Sequence, residues 1–161
     1  MIYGSGGFSG EEWLDTVTLT SSLVIDQQSI GVASSTQDVN GFDGVLGLGP
    51  IDLTEYSVSN TVEVPTVTDN LYTQKKIAQE VLGVFFAPVS EPDSNGELTF
   101  GGYDSSVITS SVNYVPVTST SPASNYWGID QSISYGGTTV LSSTAGIVDT
   151  GTTLILLASG E

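Results

Sequence analysis

Apolar and polar residues alternate, or gather in short runs, along most of the chain, and this pattern predicts β-strands. The runs are rich in Val, Ile, Thr and aromatic residues, which favour strands. One run (22–34) is read as one long strand or two short ones, and the polar turn between 84–89 and 96–102 predicts a hairpin. The predicted strand segments are 11–19, 22–34, 84–89, 96–102, 111–117, 126–137 and 138–143.

One stretch has the apolar spacing of a helix. Residues i and i+4 are repeatedly apolar within 65–84, so we expect a helix there. Thr66 or Thr68 can cap its first turn, and Gly83 is expected to end it. The chain is therefore predicted to be mostly β with one or two short helices, with a boundary between two parts at position 103.

The charge balance narrows the possible partners and chemistry. Eighteen acidic residues face two basic ones, Lys75 and Lys76, and the net charge of −16 argues against nucleic acid and anionic membranes as partners. No His or Cys occurs, which excludes a His base, a Cys nucleophile and zinc sites built on these ligands. Because protonation of its carboxyl groups brings the chain towards neutrality, an acidic working environment is compatible with this composition.

The start of the chain and its apolar runs bear on targeting. The opening segment, "MIYGSGG", lacks the basic start and apolar run of a signal peptide. No stretch reaches the roughly 18 consecutive apolar residues of a membrane span.

A single acid stands in an apolar setting in "AGIVDTGTTLIL" (145–156). Ile147 and Val148 predict the end of a buried strand, and Asp149 then enters a tight turn. The amide of Gly151 can reach an Asp149 oxygen, and Thr152 offers a hydroxyl beside it. A carboxyl group held in this way would be partly dry and hydrogen-bonded, as a catalytic acid must be. The alternative is a structural turn residue.

The segment "YGSGGFSG" (3–10) is predicted to be the tip of a glycine-rich hairpin. Its glycines suit a mobile loop in which Tyr3 covers a cleft, and an ordinary hairpin is the alternative. It is not a phosphate-binding loop, because neither the Gly-Lys-Ser/Thr ending nor a following helix is present.

Five motifs in order, "YGSG", "FDGVLGLG", "GELTFGGYDSS", "YWGI" and "GIVDTGTT", resemble those of the pepsin-like aspartic endopeptidases. The wording of 119–154 is especially similar to the secreted acid proteases of fungi, and the likeness covers essentially the whole chain. The resemblance implies an all-β fold of two β-barrel lobes. Residues 1–102 would form the N-terminal lobe from its flap onward, and 103–161 the start of the C-terminal lobe, both incomplete.

The resemblance also implies roles for individual residues. Asp149 matches the catalytic aspartate of the C-terminal lobe. The family positions that face the substrate or surround the catalytic pair are matched by Tyr3, Gly4, Ser5, Val45, Tyr126, Ile147, Gly151, Thr152 and Thr153. The first three match the flap; Val45 matches a position in the pocket for the residue before the cut bond. Tyr126 and Ile147 match positions that border the other side of that bond.

The family further implies protein or peptide substrates, pepstatin-type inhibitors, a monomeric parent enzyme, and neither cofactor nor metal. Its members point to a secreted or vacuolar protein. The chain departs from the family pattern in one respect: the first Asp-Thr/Ser-Gly loop should precede the flap, and the chain begins two residues before Tyr3. We therefore expect the middle half of an enzyme, inactive and unstable on its own. The alternatives are a non-catalytic relative that binds peptides or inhibitors and, less in keeping with the motif order, a self-associating protease.

Overall fold

The computed structural model describes residues 1–4, 6–38, 41–90 and 96–158. Contacts within the chain divide it into two compact units, Met1–Ser111 and Val112–Glu161. Most regular structure in both units is β-strand, as the sequence pattern predicts. No helix in the described ranges is long and apolar enough to cross a membrane.

A three-stranded antiparallel sheet dominates the first unit. Its strands are β1 (Ile2–Tyr3), β2 (Gly6–Thr20) and β3 (Leu23–Gln37). The prediction of strands at 11–19 and 22–34 is confirmed, and the second is one long strand. Bulges interrupt the β2–β3 pairing at three places, which increase the local twist of these long strands.

The short helix α1 (Val67–Thr73) packs on β3. The predicted cap is Thr66: its hydroxyl accepts from the Asp69 amide, while the Asp69 carboxylate accepts from the Thr66 amide at 2.6 Å. Val67 and Leu71 join Ile25 of β3 in the buried core, together with Ile77 from the segment after the helix.

The helix ends about two turns earlier than the sequence predicts, and Gly83 lies in a strand instead of ending it. Two features account for the early end. The Gln74 side chain bonds both backbone groups of Asp26 on β3, at 3.0 and 2.7 Å. Lys75 then takes a left-handed conformation with φ of 57°, and the Lys76 and Ile77 amides both turn back to the Leu71 carbonyl.

A second, two-stranded sheet in the first unit consists of β4 (Leu82–Phe85) and β5 (Glu97–Phe100). The strands are antiparallel, with Leu82 opposite Phe100, so the predicted hairpin is confirmed. Residues 91–95 of its connection lie outside the described residues. Phe100 packs against the core formed by α1 and β3.

The second unit is built on an antiparallel hairpin of β6 (Gly128–Tyr135) and β7 (Thr138–Ile147). Gly136 and Gly137 connect the strands with φ of 57° and 80°, the left-handed values that a tight two-residue hairpin turn requires. Both predicted strands are confirmed, and β7 continues beyond position 143 to reach the Asp149 loop.

The predicted strand at 111–117 is wrong: this segment has no regular structure. A strand needs a partner for its backbone groups, and none pairs with this segment in the described part of the chain. Pro116 also lacks the N–H that a ladder would use.

Candidate active site

The Asp149 loop begins where β7 ends. The Val148 amide donates to the Trp127 carbonyl at 2.9 Å, which continues the pairing of the hairpin by one residue. Oδ1 of Asp149 accepts from the Gly151 amide at 2.9 Å, and Oδ2 accepts from the Thr152 hydroxyl at 2.6 Å. Both hydrogen bonds expected from the sequence are therefore present. They hold the carboxylate in one orientation with a lone pair still available on each oxygen.

Gly151 allows the loop to close this tightly. A Cβ atom at this position would lie 3.3 Å from Oδ1 of Asp149, closer than most such contacts. A larger residue would push the carboxylate away from the amide that holds it.

The expectation of a partly dry carboxyl group is wrong for this structure, because Asp149 is exposed. The expected buried strand end is wrong as well: Ile147 and Val148 are 43% and 57% exposed. The reason is local. The loop extends past the last paired residues of β6 and β7, and no side chain in the described part of this unit covers it.

Two further predicted substrate-binding residues lie at the same end of the hairpin. Ile147 is paired with Gly128 across the β6–β7 ladder. The Tyr126 carbonyl accepts a 2.7 Å hydrogen bond from the Gly128 amide. Thr153 follows the loop and is exposed. The structure thus brings Asp149 and its two donors together beside a strand end that carries Ile147 and Tyr126.

The first unit contains the predicted flap as a tight hairpin. Tyr3 is opposite Gly6, and Ile2 is opposite Gly7. The Tyr3 ring contacts the Phe8 ring with centroids 5.5 Å apart, and burial raises the pKa of the Tyr3 phenol. Gly4 lies at the tip and is exposed, whereas Ser5 lies outside the described residues.

Val45 also belongs to the first unit, in an irregular segment that follows Gly41, whose φ is 90°. Its side chain is 48% exposed. The described residues contain no group of three or more His, Cys, Asp or Glu side chains placed to hold a metal ion.

Two contacts of the site were not expected from the sequence. The Trp127 carbonyl holds Val148, and Phe8 supports Tyr3. The second could have been inferred, because Tyr3 and Phe8 become diagonal neighbours once the hairpin turn is placed at Gly4 and Ser5. The first has no local signal, since a backbone carbonyl gives no residue pattern.

Comparison with known proteins identifies the family. The model of the eukaryotic aspartyl protease family matches residues 1–161. Polyporopepsin of Irpex lacteus is 60% identical over 99% of this chain, and rhizopuspepsin-1 of Rhizopus niveus is 39% identical over 96%. The crystal structure of the aspartic proteinase from Irpex lacteus superimposes with a TM-score of 0.94 at 58% identity, over 99% of this chain.

The chain spans about half the length of these relatives: 48% of polyporopepsin, 39% of rhizopuspepsin-1 and 48% of the crystal structure. The fold of the described residues is that of the matching half of a pepsin-like protease, as the motif order implies. The chain belongs to the eukaryotic aspartyl protease family.

Proposed function

We propose that this chain is the part of an aspartic endopeptidase that carries one of its two catalytic aspartates, Asp149. The observation that carries the proposal is the loop itself. Both carboxylate oxygens of Asp149 are held by donors from its own Asp-Thr-Gly-Thr segment, in a chain whose whole length matches the protease family.

The proposed reaction needs a second carboxyl group close to Asp149. Two carboxylates a few Å apart cannot both ionise cheaply, so the pair shares one proton. One carboxylate takes a proton from a water molecule, whose oxygen attacks the peptide carbonyl carbon. The other carboxyl group polarises the carbonyl oxygen, and the departing amine receives a proton when the C–N bond breaks. The Gly151 and Thr152 donors orient Asp149 for this exchange.

The second aspartate is proposed to come from outside these residues. Asp149 belongs to the single Asp-Thr/Ser-Gly triplet in the sequence. Four consecutive apolar residues after the loop, Leu154–Leu157, are 40% to 86% exposed, which supports their being covered by further polypeptide in the active enzyme. On this proposal the 161 residues alone do not cleave peptides.

Peptide binding is proposed to use the residues that match the family's substrate-binding positions. The flap, with Tyr3, Gly4 and Ser5, would close over the peptide backbone, and Val45 would line the pocket before the cut bond. Ile147, Tyr126 and Thr153 would lie along the peptide near Asp149. We further propose sensitivity to pepstatin-type inhibitors, a monomeric enzyme that needs no cofactor, a lobe boundary near position 103, and a secreted or vacuolar location.

A hybrid enzyme tests this function. Residues 1–161 replace the matching segment of polyporopepsin, which is 60% identical and supplies the rest of the fold. We expect this hybrid enzyme to hydrolyse denatured protein at about pH 4 and to be blocked by pepstatin, while the isolated chain is inactive. A folded hybrid enzyme that binds pepstatin without turnover would instead support the non-catalytic binding alternative. Pepstatin-sensitive cleavage by the isolated chain would refute its proposed dependence on a second aspartate.

A further inference from the structure

A buried hydroxyl lies at the base of the hairpin that carries Asp149. Thr118 is 4% exposed although it precedes β6 in an irregular segment. Its amide donates to the Gly128 carbonyl at 2.9 Å, and its hydroxyl donates to Oδ1 of Asp130 at 2.8 Å. The same hydroxyl oxygen accepts from the Thr120 amide at 3.2 Å. One side chain therefore ties the incoming segment to the first turn of strand β6.

Gly128 is packed against this group on two sides. A Cβ atom at Gly128 would overlap the Ala123 backbone and lie 2.9 Å from Cγ2 of Thr118. The contact places the start of β6 between Thr118 and the short 3-10 helix Ala123–Asn125. No side chain other than hydrogen fits at this position without displacing the backbone.

The start of β6 in turn holds the end of β7. Gly128 is paired with Ile147 in the ladder, and the Trp127 carbonyl accepts the Val148 amide at 2.9 Å. Asp149 is the next residue along the chain. The direction in which the catalytic loop leaves the sheet is thus set by residues 127 and 128, whose own position depends on Thr118.

We propose that Thr118, with Asp130 as its hydrogen-bond acceptor, is a positioning residue for Asp149. Its catalytic meaning rests on the function proposed above. Acid–base catalysis by a carboxyl pair depends on a separation held to a fraction of an ångström, and side chains behind the reacting groups supply that precision. Loss of the Thr118 hydroxyl leaves the Asp149 side-chain bonds in place and loosens the backbone that carries them.

Three substitutions in the hybrid enzyme and one control test the proposal. Thr118→Val removes the hydroxyl and keeps the shape, whereas Thr118→Ser keeps the hydroxyl. Asp130→Ala removes the acceptor from an exposed position, so it carries the test if Thr118→Val does not fold. Thr139→Val is the control, because it removes an exposed hydroxyl at the far end of the same hairpin, opposite Ser134.

Amide hydrogen exchange and steady-state kinetics are the two measurements. We expect exchange at Val148 and Gly151 to become about two- to tenfold faster in Thr118→Val and Asp130→Ala, the factor expected for one lost hydrogen bond. We expect kcat to fall by a similar factor with KM unchanged. Thr118→Ser should restore both, and Thr139→Val should change neither.

Unchanged exchange at Val148 and Gly151 would overturn the proposal. So would faster exchange spread evenly over β6 and β7, because that result indicates a general loss of stability. If the hybrid enzyme folds but lacks activity, the proposed function fails, while the exchange data still decide whether Thr118 positions the Asp149 loop.

Discussion

The Thr152 hydroxyl donates a 2.6 Å hydrogen bond to Oδ2 of Asp149, three residues before it. A hydrogen bond to an ionised carboxylate is stronger than one between neutral groups. The Gly151 amide holds the other oxygen, so rotation of the carboxylate breaks both bonds at once. The loop thereby orients the acid with its own residues.

Removal of the Thr152 hydroxyl should impair catalysis more than binding. In the hybrid enzyme, we expect Thr152→Val to lower kcat by about tenfold or more, the effect of losing a hydrogen bond to a charged group. Thr152→Ser should retain most of the activity, because it keeps the donor. Equal kcat values for the Val and Ser variants would show that this bond has no role in the reaction.

The N-terminus of α1 offers a matched pair of threonines. Thr66 forms the capping box with Asp69, whereas Thr68 lies inside the first turn. Thr66→Ala should lower the free energy of unfolding of the hybrid enzyme by about 1 kcal/mol, because two backbone amides lose their organised partners. Thr68→Ala, measured by the same urea titration, should have a clearly smaller effect. The reverse order would assign the cap to Thr68.

The Tyr3–Phe8 contact can be followed through the phenol of Tyr3. Because burial raises the pKa of this phenol, removal of the covering ring by Phe8→Ala should bring the pKa down towards its ordinary value of 10.0. The difference in phenolate absorbance between each protein and its Tyr3→Phe variant isolates this group. Phe86→Ala, at an exposed ring elsewhere in the unit, is the control. An unaltered Tyr3 titration in Phe8→Ala would remove Phe8 from the account of the flap.

One carboxyl pair should make stability depend on pH. A hydrogen bond to Asp69, then burial, then the Asp69 charge raise the pKa of Glu80 above its ordinary value of 4.5. Because the folded protein holds this proton more tightly than the unfolded chain, the pair's contribution is complete below that value and is lost as pH rises through the raised pKa. Glu80→Gln should therefore reduce the fall in unfolding free energy between about pH 4 and pH 7.

The control for this measurement is Glu55→Gln, at an exposed position on the other side of the same unit's sequence. It should leave the pH dependence as it is in the unsubstituted hybrid enzyme. If Glu80→Gln and Glu55→Gln change the pH dependence equally, the effect belongs to total charge and not to the Asp69–Glu80 contact.

Features set by neighbouring residues could be predicted from the sequence. The Asp149 loop closes through residues two and three positions away, and the hairpin turns depend on local glycines. The end of α1 could not be predicted in the same way. It depends on Gln74 bonding the backbone of Asp26, 48 residues earlier, and on the turn at Lys75.

The same distinction explains the remaining misses. The segment 111–117 has a strand-like composition, yet its structure depends on whether a partner strand lies beside it. The exposure of Asp149, Ile147 and Val148 likewise depends on what packs over the end of β7, which no pattern within 145–156 specifies. Likeness to a family of known motif order predicted which acid is functional, whereas its local pattern left a structural turn open.

The most direct test of the central claim is the effect of Asp149→Asn on peptide hydrolysis by the hybrid enzyme. We expect kcat to fall by at least about a thousandfold, because an amide cannot share or transfer the proton that the pair needs. Asp52→Asn, at an exposed acid in the 3-10 helix Ile51–Thr54, should leave kcat and KM as they are in the unsubstituted hybrid enzyme. A folded Asp149→Asn hybrid enzyme with a kcat within tenfold of the unsubstituted one would contradict the assignment of Asp149 as a catalytic residue.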